Sequence, residues 1–297
     1  MERRDVEIVV EVTGLSRAFG RKEALREVTL RVTRGQVFGL VGENGAGKTT
    51  LMQHLLGAYK AQKGTVRVFG IDPTYDPTAV LSRIGYLSED RDLPGWMRVG
   101  ELMRYTQAFY PKWDETYAER LREEFGLPRS ARVKQLSRGE RAKAGLLIAL
   151  AHRPDLLLLD EPSSGLDPMA RQDILAAVVR SVAEEGRTVV FSSHLLDEVE
   201  RVADYVAMLH EGRVTLDMPM DEVKATHRRY VVRWAEPRAD VPKLPGVLHA
   251  VGEGREWGLI CEGDGQAFAT AVRETGGEIV ESSVPTLEAI FVARASA

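Results

Sequence analysis

Two hydrophobic periods alternate along the chain. Residues 6–13 and 28–33 set apolar and polar side chains in turn, as strands with one buried face do. Val37–Val41 is apolar at every position, which predicts a strand buried on both faces. It runs into a glycine-rich stretch and then a helix from about Thr49. Residues 64–69 and 83–87 predict further strands. From Val99 to Phe125 the period becomes helical and takes in Tyr105, Phe109, Tyr110, Trp113 and Tyr117. Pro111 divides this segment into two helices, because its ring removes a donor and clashes with the preceding turn. An Ala/Leu-rich helix covers 139–152 and ends at Pro154, and the strand Leu156–Leu159 follows. A helix over 168–185 stops at Gly186, then come a strand from Thr188 to Ser192 and a helix from about Leu195. Strands alternating with helices predict an α/β fold with a mostly parallel sheet covered on both sides.

The pattern changes near Arg228. Residues 229–297 read as a strand, a proline-containing linker, a hairpin through Gly252-Glu253-Gly254, a helix near 265–275, a strand over 277–283 and a short terminal helix. The expected division is therefore 1–228 for the main domain and 229–297 for a small α+β domain.

Composition removes several alternatives. The chain has 297 residues and a net charge of −4 from 40 basic and 44 acidic side chains, too balanced for nucleic acid as main partner. Its one cysteine, Cys261, excludes a disulfide scaffold and fits a reducing compartment. The start, Met-Glu-Arg-Arg-Asp-Val-Glu, has acids where a secretory signal has an apolar core. The longest apolar stretch, Gly145 to Ala151, is far short of the roughly 20 residues that span a bilayer. The chain is accordingly expected not to cross a membrane itself.

Gly42-Glu43-Asn44-Gly45-Ala46-Gly47-Lys48-Thr49, followed by Thr50, fits Gly-x-x-x-x-Gly-Lys-Ser/Thr between a buried strand and a helix. Glycines let successive N–H groups turn inward toward phosphate oxygens, and the following helix offers its positive end to the same anion. Lys48 can reach the outer phosphates and the Thr49 hydroxyl can ligate Mg²⁺. Leu156–Leu159 delivers Asp160 and Glu161 to the carboxyl end of a buried strand, where ligands of open α/β sheets bind. Asp160 is placed to support Mg²⁺ and Glu161 to polarise a water. His194 follows another strand end near the same crevice and is either structural or catalytic. Phe19 either stacks on a base or packs in the core.

Leu136-Ser137-Arg138-Gly139-Glu140 precedes the aspartate strand by about one helix, and Ser164-Gly165-Leu166-Asp167 follows it. This ordered set resembles the ATPase domain of ABC proteins over roughly residues 6–220. The resemblance implies a P-loop NTPase fold with an antiparallel β subdomain and a helical subdomain at about 90–150. It implies ATP and Mg²⁺ as ligands, with Phe19 stacking on adenine and the loop from Gly42 to Thr50 holding the phosphates. Thr49 and Asp160 would hold the metal, Glu161 would be the base, and His194 would contact the γ-phosphate. In this family two ATPase domains sandwich two nucleotides. Ser137 and Gly139 would therefore touch a nucleotide held by a partner's loop, and Asp167 would couple the two sites. One phosphate loop per chain calls for a second copy or a homologue.

Two positions depart from the family. Its signature reads Leu-Ser-Gly-Gly-Gln, where this chain has Arg138 and Glu140. Its usual glutamine after the strand Ile84–Leu87 is replaced by Ser88 and then Glu89. A carboxylate can still meet Mg²⁺, which makes Glu89 a candidate ligand. The aromatic-rich stretch at 105–117 resembles the subdomain that receives a membrane subunit. Most of its rings are expected in that subdomain's core, with one or two exposed. The ending Pro285–Val292 is similar to the tail of ATPase subunits of exporters of the second bacterial type. Phe109–Asp114 is similar to a subgroup near multidrug and antibiotic-peptide exporters. The implied partner is a multi-spanning permease at the cytoplasmic face of the cell membrane. The competing class is a soluble ABC ATPase acting in translation or DNA metabolism. Such DNA-repair members carry a long coiled coil or zinc-binding cysteines, and the ribosome-acting ones usually two ATPase domains. A nucleotide kinase or GTPase would leave the signature and the Asp160-Glu161 pair unexplained.

Overall fold

The computed structural model describes residues 7–90, 92–183 and 186–295. The chain divides into two compact units, Met1–Asp217 and Met218–Ala297.

In the first unit, β1 (Ile8–Phe19) and β2 (Lys22–Thr33) form an antiparallel hairpin. β3 (Val37–Val41) leads into α1 (Lys48–Leu55), followed by β4 (Lys63–Val68), α2 (Pro77–Leu81) and β5 (Ile84–Leu87). The helices α3 (Val99–Gln107), α4 (Glu115–Glu124) and α5 (Arg138–Leu150) come next, with one 3₁₀ turn at Val133–Gln135. Then come β6 (Leu156–Leu159), α6 (Pro168–Ala183), β7 (Thr188–Ser193), α7 (Leu196–Val202), β8 (Tyr205–His210) and β9 (Arg213–Pro219). The end of the helix expected over 168–185 lies partly outside the described residues.

Two sheets result. The antiparallel one has the order β2-β1-β4, and the other has the order β5-β6-β7-β3-β8-β9. In the second sheet β5, β6, β7, β3 and β8 run parallel, with Leu87 opposite Leu159, Leu159 opposite Phe191, and Val41 opposite Ser193. That register brings the segments after β5, β6, β7 and β3 out at one edge. β3 and β6 are buried at every position, because a parallel strand has neighbours on both sides and layers on both faces. One core cluster joins the sheets through Val12, Leu15, Phe38, Leu40, Met52, Leu156 and Leu158.

Of the five aromatics singled out at 105–117, only Tyr117 is fully buried, Tyr110 and Trp113 are half-buried, and Tyr105 and Phe109 are exposed. Two exposed rings match the expectation, but the subdomain's core is more aliphatic than predicted. Met97, Leu102 and Val133 fill it, with Leu93 and Ile148 packed alongside.

The second unit holds α8 (Met220–Thr226), β10 (His227–Arg238), β11 (Val247–Glu262), α9 (Gly265–Glu274), β12 (Gly277–Ser283) and α10 (Leu287–Ala295). Its sheet has the order β11-β10-β12. The hairpin lies inside β11: Glu262 N–H donates to the Gly246 carbonyl at 2.8 Å, and Gly254 at the bend has φ 62°. Tyr230, Val232 and Trp234 pack with Trp257, Leu259, Phe268 and Val272. Cys261 lies in this core, and burial pushes its thiol up to about 12. The break at Arg228 read from composition is therefore about ten residues late. Arg229 and Arg233 are the exposed face of β10, whose other face is core, so the change of pattern near Arg228 marks a strand rather than a boundary.

A chain ended after Pro219, at the close of β9, is expected to fold and to keep ATP affinity within about threefold, since a compact unit carries its own core. Calorimetry on the folded truncated chain checks this, and loss of nucleotide binding would contradict it.

Candidate active site

The edge where β3, β5, β6 and β7 end carries a cavity of about 320 Å³. It is lined by Phe19, Lys22, Ala24, Glu43, Asn44, Gly45, Gly47, Lys48, Thr49, Thr50, Glu89 and Glu161. Gly42 and Ala46 belong to the same loop. Gly45 and Gly47 have φ of 85° and 113°, conformations that L side chains rarely adopt, and Gly47 caps α1 without any side-chain bond. The first N–H groups of α1 thus keep no side-chain acceptor of their own and suit an anion.

Lys48 is 5% exposed. Its Nζ donates to the Gly42 carbonyl at 2.6 Å and to that of Glu43 at 3.2 Å, and it lies 2.9 Å from Glu161 Oε1. Glu161 Oε2 is 2.7 Å from His194 Nδ1 and accepts from His194 N–H at 3.3 Å. Lys48, Glu161 and His194 therefore form one line of contacts. Glu161 sits at φ 48°, where a non-glycine residue stores about 1–3 kcal/mol of strain. Its N–H is held by Ser192 Oγ at 2.9 Å, and its carbonyl accepts from Ser164 N–H at 3.1 Å.

Ser192 also donates to Asp160 Oδ1 at 2.7 Å. Asp160 Oδ2 is buried without a hydrogen-bond partner. Burial raises this carboxyl above the ordinary range, against the pull of Ser192, Thr49 and Lys48. An unpartnered buried oxygen beside the Thr49 hydroxyl is the donor set that a hard cation takes, so these residues fit Mg²⁺. Glu89 reaches the cavity because Asp160 N–H donates to the Leu87 carbonyl at 2.9 Å and prolongs the β5–β6 ladder to the start of its loop. Phe19, at the tip of the β1–β2 hairpin, is 42% exposed. It meets Tyr59 edge-on at 5.5 Å, with the Arg17 guanidinium over both rings.

The family model described as ABC transporter matches residues 25–164. The ABC transporter ATP-binding protein YtrB of Bacillus subtilis (strain 168) is 29% identical over 96% of this chain and 98% of its own length. The bacitracin transport ATP-binding protein BcrA of Bacillus licheniformis is 30% identical over 75% of this chain and 74% of its own. The chain belongs to the ABC transporter ATPase family. A solved ATP-binding subunit of an ABC transporter superposes with a TM-score of 0.67 at 30% identity, covering 73% of this chain and 92% of that one. The fold is thus a P-loop ATPase cassette, and the activity is ATP hydrolysis.

The two departures of this ABC ATPase from the usual signature have local explanations. Ser137 caps α5: its Oγ accepts from Glu140 N–H at 3.2 Å while Glu140 Oε2 accepts from Ser137 N–H at 2.8 Å. A carboxylate suits this capping box and the positive helix end better than a neutral amide. The Arg138 guanidinium lies against Gly165, where any Cβ would collide with it. Gly139 packs against Ala170 of α6. Ser137 and Gly139 do not line the phosphate cavity.

Sequence reading missed Lys22, which lines the cavity from the hairpin, and Ser192, which bridges Asp160 and Glu161. A serine closing an otherwise apolar strand was the available signal for Ser192. Nothing in the local sequence marks Lys22.

Lys48→Ala removes one partner of a buried charge pair along with the candidate phosphate ligand. ATP affinity is expected to fall at least ~30-fold, the lower end for such truncations. Calorimetry reads this directly, and unchanged affinity would sink the assignment.

Proposed function

We propose that this chain is the ATPase subunit of an exporter, working as a pair with a second copy or a homologue beneath a permease. The contact line Lys48–Glu161–His194, with Asp160 held beside it, carries this reading at the level of chemistry.

The phosphate loop from Gly42 to Thr50 holds the triphosphate, and Phe19 receives the adenine face. Lys48 turns from Glu161 to the outer phosphates. Glu161, released from the ammonium but still bonded to His194, then accepts a proton from water as the water oxygen attacks the terminal phosphorus and ADP departs. His194 keeps the carboxylate aimed and reaches the γ-phosphate. Thr49 and Asp160, with Glu89 at the cavity wall, would hold Mg²⁺, which when bound neutralises charge on the phosphate oxygens.

The need for a second ATPase domain is supported by Ser137 and Gly139, which lie outside the chain's own cavity. Membrane partnership is supported by exposed aromatics in the helical subdomain, Trp96, Tyr105 and Phe109 at 69%, 51% and 64% exposure. Isolated exposed apolar residues are ordinary, but large rings in one subdomain suit a partner surface. No helix among the described residues is long and apolar enough to cross a membrane. BcrA is named for bacitracin transport, which supports transport of a drug-like or peptide cargo.

Glu161→Gln keeps shape and removes the base. Turnover is expected to drop at least ~100-fold, the scale of general base catalysis, with ATP retained. Sedimentation with ATP is expected to show dimers. Undiminished turnover, or monomers alone, would contradict the reading.

Glu89→Ala tests the cavity wall that leads to the helical subdomain. Its carboxylate attracts the cation and repels the γ-phosphate, so the effect on affinity is small. Partner-stimulated turnover and transport are expected to fall several-fold more than ATP affinity, measured with the permease in vesicles, because ligand and docking surface lose their link. Normal coupled turnover would make Glu89 a solvated loop acid.

A further inference from the structure

Glu198 lies on the first turn of α7, four residues beyond His194, and is only 1% exposed. Two side chains from separate segments meet its carboxylate. Ser163 Oγ, itself buried, donates to Glu198 Oε2. Arg171 Nε lies 3.1 Å from Oε1, a charge contact rather than an aligned hydrogen bond. Ser163 is two residues after Glu161. Arg171 is on α6, four residues after Asp167, whose Oδ1 accepts from Met169 and Ala170 N–H at 3.0 Å each. Burial raises the Glu198 carboxyl above its ordinary range, while Ser163 and Arg171 oppose that shift. A carboxylate this deep is costly unless its partners are kept.

The Glu161–His194 contact depends on two loops that leave adjacent strands. Pairing of β6 with β7 fixes their backbones as far as Leu159 and Phe191. Ser192 ties them at the strand side. Further along both loops, the Ser163–Glu198 bond ties them again. The Glu161–His194 contact at 2.7 Å is therefore bracketed by two hydroxyl links, one on each side. Glu198 does not line the cavity, so it acts through other residues.

We propose that Glu198 is a positioning residue for hydrolysis: through Ser163 it sets the loop of Glu161, through its own helix the loop of His194, and through Arg171 the helix behind Asp167. This rests on Glu161 and His194 being the hydrolytic pair. Its consequence is that the segment Ser164–Asp167 and the hydrolytic pair share one buried anchor, so a shift in either is felt by the other.

The test uses the full chain and measures ATP dissociation constant, KM, kcat and thermal melting. Glu198→Ala and Ser163→Ala are each expected to lower kcat ~10-fold or more while the ATP dissociation constant stays within about twofold. Because the two side chains act as one link, the double variant is expected to match the worse single variant rather than their product. Glu198→Gln keeps an acceptor for Ser163 and is expected to recover kcat to within about threefold of the parent. Unchanged kcat in Glu198→Ala, equal losses in kcat and affinity, or multiplying losses in the double variant would each overturn the proposal. If Glu198→Ala fails to fold, Ser163→Ala, which removes a single hydroxyl, decides by the same criteria. Glu161→Gln runs alongside. If it retains turnover, the hydrolytic reading falls and takes this inference with it. If it is inactive while Glu198→Ala is normal, only the role of Glu198 is lost.

Discussion

The ion pair between Lys48 and Glu161 is the constraint on which the site depends. Their side chains are 5% and 4% exposed, so neither charge has much water to fall back on. Breaking such a pair by removing one partner typically costs about 3–5 kcal/mol, because the other charge stays buried. An incoming triphosphate avoids that cost. It brings the negative charge that Lys48 needs, and it leaves Glu161 with His194 on its other oxygen. The exchange of partners is thus built into the resting arrangement. Under the proposed mechanism the carboxylate that holds the lysine is also the base that meets a water, so nucleotide binding and release of the base would be one event.

That exchange requires a rigid frame around a mobile charge. The frame is the parallel sheet, whose register sets the ends of β3, β6 and β7 side by side. Strands buried on both faces admit almost no polar side chain, which makes Ser192 and Ser193 at the close of β7 conspicuous. Ser192 uses its hydroxyl fully: it donates to Asp160 and accepts from the N–H of Glu161. The strained backbone of Glu161 persists because that bond and the turn through Ser164 hold it from both sides. Strain of this kind survives where the surroundings over-determine it.

Most of this frame was legible in the sequence because its signals are local. A four-leucine run followed by two acids, or glycines at fixed spacing before Lys48, can be read without knowing any distant contact. What escaped reading is long-range. Lys22 enters the cavity only because β1 and β2 fold back to place it opposite Phe19. Glu198 reads as one more acid on an amphipathic helix until α7 packs onto the loop after β6. The boundary between units was misplaced for a related reason. The residue pattern changes near Arg228, but the packing changes earlier, where β9 closes the large sheet and the second unit begins at Met218. The aromatics of the helical subdomain could be counted but not sorted, since burial of a ring depends on which helix faces it.

The signature segment shows how a departure from a pattern can be absorbed locally while its shared function is left open. Glu140 replaces an amide, yet it completes the cap of α5 and its carboxyl is held below the usual range by the Ser137 bonds. The cap in turn fixes Ser137, whose Oγ accepts from Glu140 N–H and whose side chain also meets the Glu140 carboxylate. Gly139 cannot gain a Cβ without moving Ala170, which keeps α5 close to α6. The N-terminal end of α5 and the Arg138 cation therefore sit together, neither of them lining the chain's own phosphate cavity. Glu140 already gives this helix end one carboxylate, and under the paired reading the triphosphate of a second subunit would meet the same surface. Each chain would then contribute the base to one nucleotide and the signature helix end to the other, which explains why neither half-site need be complete by itself.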